Sequence, residues 1–185
     1  MSLYLGIDSS TQSMTGLVID TEEQAIVAEA SINFDECFAE AYDIESGVRD
    51  LGSGVMHGEP LVWIEALDLL FEALRNTGID LGRIEAIAGS GQQHGTVYLN
   101  DTAEEALGGL SGSLPLKDQV SGIFSRATAP IWMDTSTGDQ CREIETNIGG
   151  TAHLLALTGN TAFERFSGPQ IRKFWQEEPD NYEQT

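Results

Sequence analysis

The chain has 185 residues, 41% of them hydrophobic, which is enough for a sizeable core and, by default, one domain. Thirty acidic residues stand against nine Lys and Arg, a net charge of −21. That balance excludes non-specific nucleic-acid binding and an anionic membrane as partners, because both rest on clustered basic side chains. It is compatible with a salt-rich habitat, where ions screen self-repulsion.

No run approaches the roughly 18 apolar residues of a membrane span, and the start, MSLYLGID, lacks the basic and apolar regions of a secretory signal. Two cysteines, Cys37 and Cys141, do not make a disulfide framework, so a reducing cytoplasm is expected. The sequon at Asn100 to Thr102 is read as chance.

In chain order, Leu3 to Asp8 and Met14 to Asp20 are apolar runs joined by a polar connection, the pattern of a hairpin. Gln24 to Phe34 reads as a third strand, and Glu36 to Glu59 as loop. Pro60 opens the strongest helix, Leu61 to Arg75. There Glu65, Asp68, Glu72 and Arg75 form one polar stripe, so most of the remaining circumference is expected to be buried. Gly78 stops it. Ile84 to Ala88 and Thr96 to Leu99 read as short strands flanking GSGQQHG, and Asp101 to Ser125 as an irregular insertion. Ile131 to Met133 reads as a strand entering Asp134. Thr135 to Thr137 offer caps for a helix over Asp139 to Asn147, ended by Gly149 and Gly150. A short helix over Ala152 to Leu157 follows, then a last one started by Pro169 and stopped by Pro179. Mixed strands and helices with early hairpins predict an α/β layer fold.

Two segments invite chemistry. Residues 6 to 13, GIDSSTQS, crowd a carboxylate and hydroxyls into one turn. This is not a P-loop, since neither lysine lies near Gly6. Backbone amides in a tight turn can still form an anion nest, with the Ser9, Ser10 and Thr11 hydroxyls as added donors and Asp8 holding a hydrated Mg²⁺. The plain alternative is a polar hairpin turn. The second segment, Gly89 to Gly95, nearly matches a dinucleotide fingerprint, but His94 replaces the third glycine and a strand is expected to follow. Gln92, Gln93 and His94 there suit a hydroxylated neutral ligand, or His94 is simply satisfied by backbone. His57 is read as a surface residue. The three histidines are too scattered for zinc, and no nucleophile elbow is present.

LYLGIDSSTQSMTGLVID resembles the opening phosphate-binding hairpin of the FGGY carbohydrate kinases, and GSGQQHGTVYL resembles their sugar loop. APIWMDTSTGDQCREIE and LTGNTAFERFSGPQIRKFWQEEPDNYEQT resemble the two signatures that follow, in order, over nearly the whole chain. Within that family GQQHG, WMDTST and ERFSGPQI are most similar to the branch acting on D-xylulose.

The resemblance implies the ribonuclease H-like fold of the actin, heat-shock chaperone and hexokinase ATPases, a mixed β-sheet with flanking helices. It implies that residues 1 to 185 form the N-terminal, sugar-binding domain. The C-terminal ATP-binding domain, with the general-base aspartate and the adenine site, would lie outside the chain. ATP with Mg²⁺ and a pentulose are the implied cofactor and substrate. Asp8 would face the metal and the transferred phosphoryl group, with Ser9, Ser10 and Thr11 in the phosphate loop. Gln93, His94 and Arg165 would bind the sugar, and Trp132 and Asp134 would help shape its pocket. Kinases of ribulose, gluconate or glycerol, or a non-catalytic sugar-binding or regulatory domain, are the alternatives. The fragment alone is expected to be inactive.

Overall fold

A computed structural model describes residues 2–185. Its central sheet has four strands: β1 (Leu3–Ser9), β2 (Ser13–Asp20), β3 (Ala25–Asn33) and, much later in the chain, β4 (Ile84–Gly91). The order is β3-β2-β1-β4, antiparallel except for the parallel β1/β4 pair. The early strands thus fall where the apolar runs predict them.

One face of the sheet is closed by α1 (Phe34–Tyr42) and α2 (Pro60–Asn76). On α2, Val62, Ala66, Leu70 and Leu74 recur every four residues and are buried, so they form one stripe that packs on Leu3, Leu5, Met14 and Val18. Gly16 permits the close approach, since a Cβ there would stand 3.1 Å from a Leu70 methyl. The expected burial around most of α2 is only partly met: Trp63, Ile64, Leu67 and Leu69 are half-buried. Two residues of the polar stripe have protein partners, because Glu65 pairs with Lys117 at 2.6 Å and Asp68 accepts the Leu116 amide at 2.8 Å.

The stretch read as loop over residues 36–59 is more ordered than that. Asn33 accepts the Glu36 amide at 3.1 Å and caps α1, while Phe34 and Phe38, one turn apart, enter the core. Two short strands, Arg49–Asp50 and Met56–Gly58, pair with each other, and the second pairs with Ala129–Pro130. The strand expected at Ile131 to Met133 therefore sits two residues earlier, and Trp132 and Met133 form a turn. Thr96 to Leu99 is not a ladder strand; it meets the 123–130 stretch through single bonds such as Ser125 N–H to the Tyr98 carbonyl, 3.1 Å, and Thr96 N–H to the Pro130 carbonyl, 3.2 Å. The insertion over 101–125 holds two short helices, Ala103–Gly108 and Leu116–Val120.

Three helices complete the chain's second half: α3 (Gly138–Asn147), α4 (Thr151–Thr158) and α5 (Ser167–Glu177). Thr137 precedes α3 but makes no side-chain cap; its hydroxyl donates instead to the Glu164 carbonyl at 2.6 Å. Pro179 does more than stop α5, because it opens a further helical turn, Pro179–Tyr182. No helix among the described residues is long and apolar enough to cross a membrane.

Candidate functional site

The parallel pairing of β1 with β4 sets Asp8 opposite Ser90 and Ser9 opposite Gly91. The GIDSST turn and the GSGQQHG segment therefore leave the sheet side by side. The Gln92 amide donates to the Ser9 carbonyl at 3.0 Å, and the Thr11 hydroxyl donates to Gln92 Oε1 at 3.3 Å. The same hydroxyl accepts from the Trp132 indole at 3.0 Å. Thr11 is thus a junction of three segments that lie far apart in sequence.

The Ser10 hydroxyl is spent on the turn's own shape. Ser10 donates through its amide and its hydroxyl to the Ser13 carbonyl, at 2.9 and 3.0 Å. The amides of Thr11 and Gln12 have no protein acceptor among the described residues. The turn is buttressed from outside: Asp35 accepts the Ser46 and Gly47 amides at 2.6 and 2.7 Å and folds that loop onto it. Gly47 has φ +73, and a Cβ there would stand 2.0 Å from the Thr11 carbonyl oxygen, so only glycine fits. Between turn and loop opens a groove of about 920 Å³, lined by Ser10, Thr11, Asp43, Glu45, Trp132 and Met133 among others.

Asp8 lies on the sheet face opposite α2, exposed, and accepts a hydrogen bond from the Ser90 hydroxyl. A shallow groove of about 350 Å³ runs past Asp8, Thr15, Gly6, Ala88 and Ser90. Among the described residues no three His, Cys, Asp or Glu side chains converge as a metal cage. One carboxylate with hydroxyl neighbours suits a hydrated Mg²⁺ carried on a polyphosphate, which keeps most of its waters.

His94 and Arg165 meet on an aromatic platform. His94 lies 5.2 Å from the Phe166 ring, Phe166 lies 5.8 Å from Phe163, and the Arg165 guanidinium sits 4.7 Å over Phe163. His94 has φ +61, the left-handed conformation that ordinarily favours glycine. Arg165 Nε is buried without a partner, and Gln93 is exposed.

Asp134 is placed differently from the other expected site residues. It is 0% exposed and lies in the scaffold, not on a groove wall. Oδ1 accepts from the Ser136 amide, the Ser136 hydroxyl and Gln170, at 2.9, 2.6 and 2.8 Å. Oδ2 accepts the Met56 amide at 3.0 Å. Burial alone would raise its pKa, but the Ser136, Gln170 and Met56 donors together hold it below the usual carboxylate value. Gln170 also donates to the Glu164 carbonyl at 3.1 Å. Asp134 thereby fixes, through Gln170, the loop that carries Arg165.

His57, expected at the surface, is 3% exposed. Its Nδ1 lies 2.7 Å from the Thr128 hydroxyl and its Nε2 3.7 Å from Asp134. Burial, with Arg126 nearby, pushes its pKa down to about 4 against the opposing pull of Asp134, so it is neutral at pH 7. Residue types alone did not single out Ser90 or Gln170. The strand register reveals Ser90, and the sequence hint for Gln170 is its place in the ERFSGPQI motif.

No family model matches the chain. Xylulose kinase 2 of Arabidopsis thaliana is 42% identical over the whole chain, and xylulose kinase of Mus musculus is 40% identical over 96% of it. The chain spans about a third of the length of these relatives, 33% and 32%. Among solved structures, a xylulose kinase from Brucella ovis superposes with TM-score 0.72 at 24% identity, covering 98% of this chain and 31% of that one. A gluconate kinase from Lactobacillus acidophilus gives 0.70 at 16% identity, over 100% and 30%. In sequence the chain stands alongside one third of a xylulose kinase, and its fold is that of the FGGY carbohydrate kinases.

Proposed function

We propose that this chain is the sugar-binding lobe of an ATP-dependent ketopentose kinase. In the complete enzyme it would act in the conversion of D-xylulose to D-xylulose 5-phosphate. The observation that carries the reading is the meeting, at the ends of β1 and β4, of the Asp8 turn with the loop bearing Gln93 and His94. An acidic residue for the metal-nucleotide and neutral donors for a polyol then lie on adjacent strands. Two-thirds of the relatives' length has no counterpart here.

Phosphoryl transfer is mostly positioning and charge stabilisation. His94 and Gln93 supply hydrogen bonds to sugar hydroxyls. The Arg165 guanidinium, already stacked on Phe163, supplies planar donors to the same ligand. The amides of Thr11 and Gln12 offer donors to phosphate oxygens. Asp8 would hold Mg²⁺, which offsets the charge of the polyphosphate beside a chain of net charge −21. The base that accepts the sugar's hydroxyl proton would come from outside this chain.

The test replaces the matching third of the Arabidopsis enzyme with this chain and follows sugar-dependent ADP release. D-xylulose is expected to be turned over in preference to D-ribulose, gluconate and glycerol. In that protein His94→Ala should raise the KM for D-xylulose about 3- to 10-fold, equivalent to one neutral hydrogen bond of about 1 kcal/mol, and leave the KM for ATP unchanged. No sugar-dependent release, or preference for another substrate, overturns the reading.

A further inference from the structure

We propose that Ser90 is a positioning residue for Asp8. The proposal rests on the reading of Asp8 as the carboxylate that faces the metal-nucleotide, and it follows from how the outer face of the sheet is built. Ser31, Thr15, Asp8 and Ser90 are cross-strand partners in one row, one on each of β3, β2, β1 and β4. Side chains directly opposite one another on paired strands project on the same face. Four polar side chains thus cross the sheet in a line, with Asp8 the only charge among them.

The row divides into two bonded pairs. Thr15 Oγ1 and Ser31 Oγ are 3.0 Å apart, so the Thr15 hydroxyl is engaged away from Asp8. The Ser90 hydroxyl donates to Asp8 Oδ1, and Oδ2 has no protein partner among the described residues. Steric walls do not hold Asp8 either. Across the next row lie Ala88, Gly6, Leu17 and Glu29, and a Cβ built on Gly6 would meet no atom within 4 Å. With Gly6 and Ala88 nearest on this side, the one hydrogen bond to the carboxylate among the described residues comes from the Ser90 hydroxyl. A hydroxyl in this place occupies one oxygen and leaves the other available. It is the arrangement by which an outer residue orients a carboxylate toward a cation.

Ser90 lies on β4, the strand that delivers GSGQQHG. One strand therefore orients the Asp8 carboxylate with Ser90 and, four residues on, presents His94. A sugar-loop displacement along β4 would be felt at Asp8.

Two measurements test the proposal. In the 185-residue chain, three-bond NMR couplings report the χ1 rotamer of Asp8. One rotamer is expected with Ser90, averaging over rotamers in Ser90→Ala, and recovery of one rotamer in Ser90→Thr, which keeps the hydroxyl and suits a strand. In the chimeric kinase described above, Ser90→Ala should lower kcat about tenfold at unchanged KM for D-xylulose, and Ser90→Thr should restore it. A single Asp8 rotamer in Ser90→Ala, or an unchanged kcat in that variant while Asp8→Asn loses turnover, overturns the positioning role. Full turnover by Asp8→Asn instead refutes the reading of Asp8 itself, and the rotamer measurement still decides what Ser90 does.

Discussion

Asp8 and Asp134 are both aspartates at the edge of a polar turn, and the fold treats them in opposite ways. Asp134 is 0% exposed, with four hydrogen bonds from Ser136, Gln170 and Met56 converging on it. Asp8 is exposed and has the single donor Ser90. A buried carboxylate is tolerated only when donors replace its water, and once they do, it fixes every element they come from. Asp134 ties together the Met56–Gly58 strand, the start of α3 and α5. An open carboxylate fixes little and keeps its charge in water. The difference separates a residue that holds the scaffold together from one left open to solvent.

The largest break in this comparison is expected from Asp134→Asn. The amide keeps the shape but replaces one buried carboxylate oxygen with an NH2 group, which must face either the Met56 amide or the Ser136 and Gln170 donors, and it removes the charge those donors hold. The loss is expected at about 3–5 kcal/mol, read as a shift in the urea midpoint at unchanged slope. A loss below about 1 kcal/mol would show that the network is not a keystone.

The pH dependence follows from His57. Its folded pKa of about 4 lies below the ordinary 6.5, so the unfolded chain binds more protons between those values. Stability from a neutral His57 is fully present above about pH 6.5 and is lost as pH falls toward 4, by about 2–3 kcal/mol. The depressed pKa of Asp134 acts in the same direction at lower pH, since protonation removes an acceptor from its donors. Thermal melts from pH 7.5 to 4 check this, and His57→Gln should flatten the upper part of the curve.

Gly47→Ala probes the buttress behind the first turn. The added methyl meets the Thr11 carbonyl oxygen, and φ +73 disfavours any side chain, so a loss of about 1–3 kcal/mol is expected. Because Thr11 also holds Trp132, the indole fluorescence should change in the folded variant.

Asp8→Asn should produce the smallest effect on folding, within about 0.5 kcal/mol by the same urea assay, because an exposed side chain leaves nothing buried and unpaired. A loss as large as that of Asp134→Asn would erase the distinction between the two aspartates.

Local pattern made much of this molecule legible in its sequence. Apolar runs of strand length bounded by a polar turn mark β1 and β2, and the four-residue recurrence from Val62 to Leu74 marks the buried stripe of α2. Both signals are local, because a strand or helix announces its buried side through its own period. The candidate loops were legible by motif, and GSGQQHG even betrayed His94 as a residue standing in a glycine's place.

What depended on partners distant in sequence was not legible. Residues 36–59 look like loop because their order comes from Asp35 bonded to the Ser46–Gly47 turn, and from strands of two and three residues paired across some seventy positions. His57 looks like a surface residue until Thr128 and Asp134 close over it. The family resemblance places Asp134 in a pocket motif, whereas packing buries it in the scaffold. Ser90 acquires a role only when the parallel register sets it opposite Asp8. The sequence by itself determined β1, β2, β3 and α2 and marked two candidate loops, because those choices rest on short-range period and turn chemistry. Tertiary structure alone decided which polar groups are satisfied and which remain free to bind, because that depends on donors and acceptors meeting across 70 to 80 residues of chain.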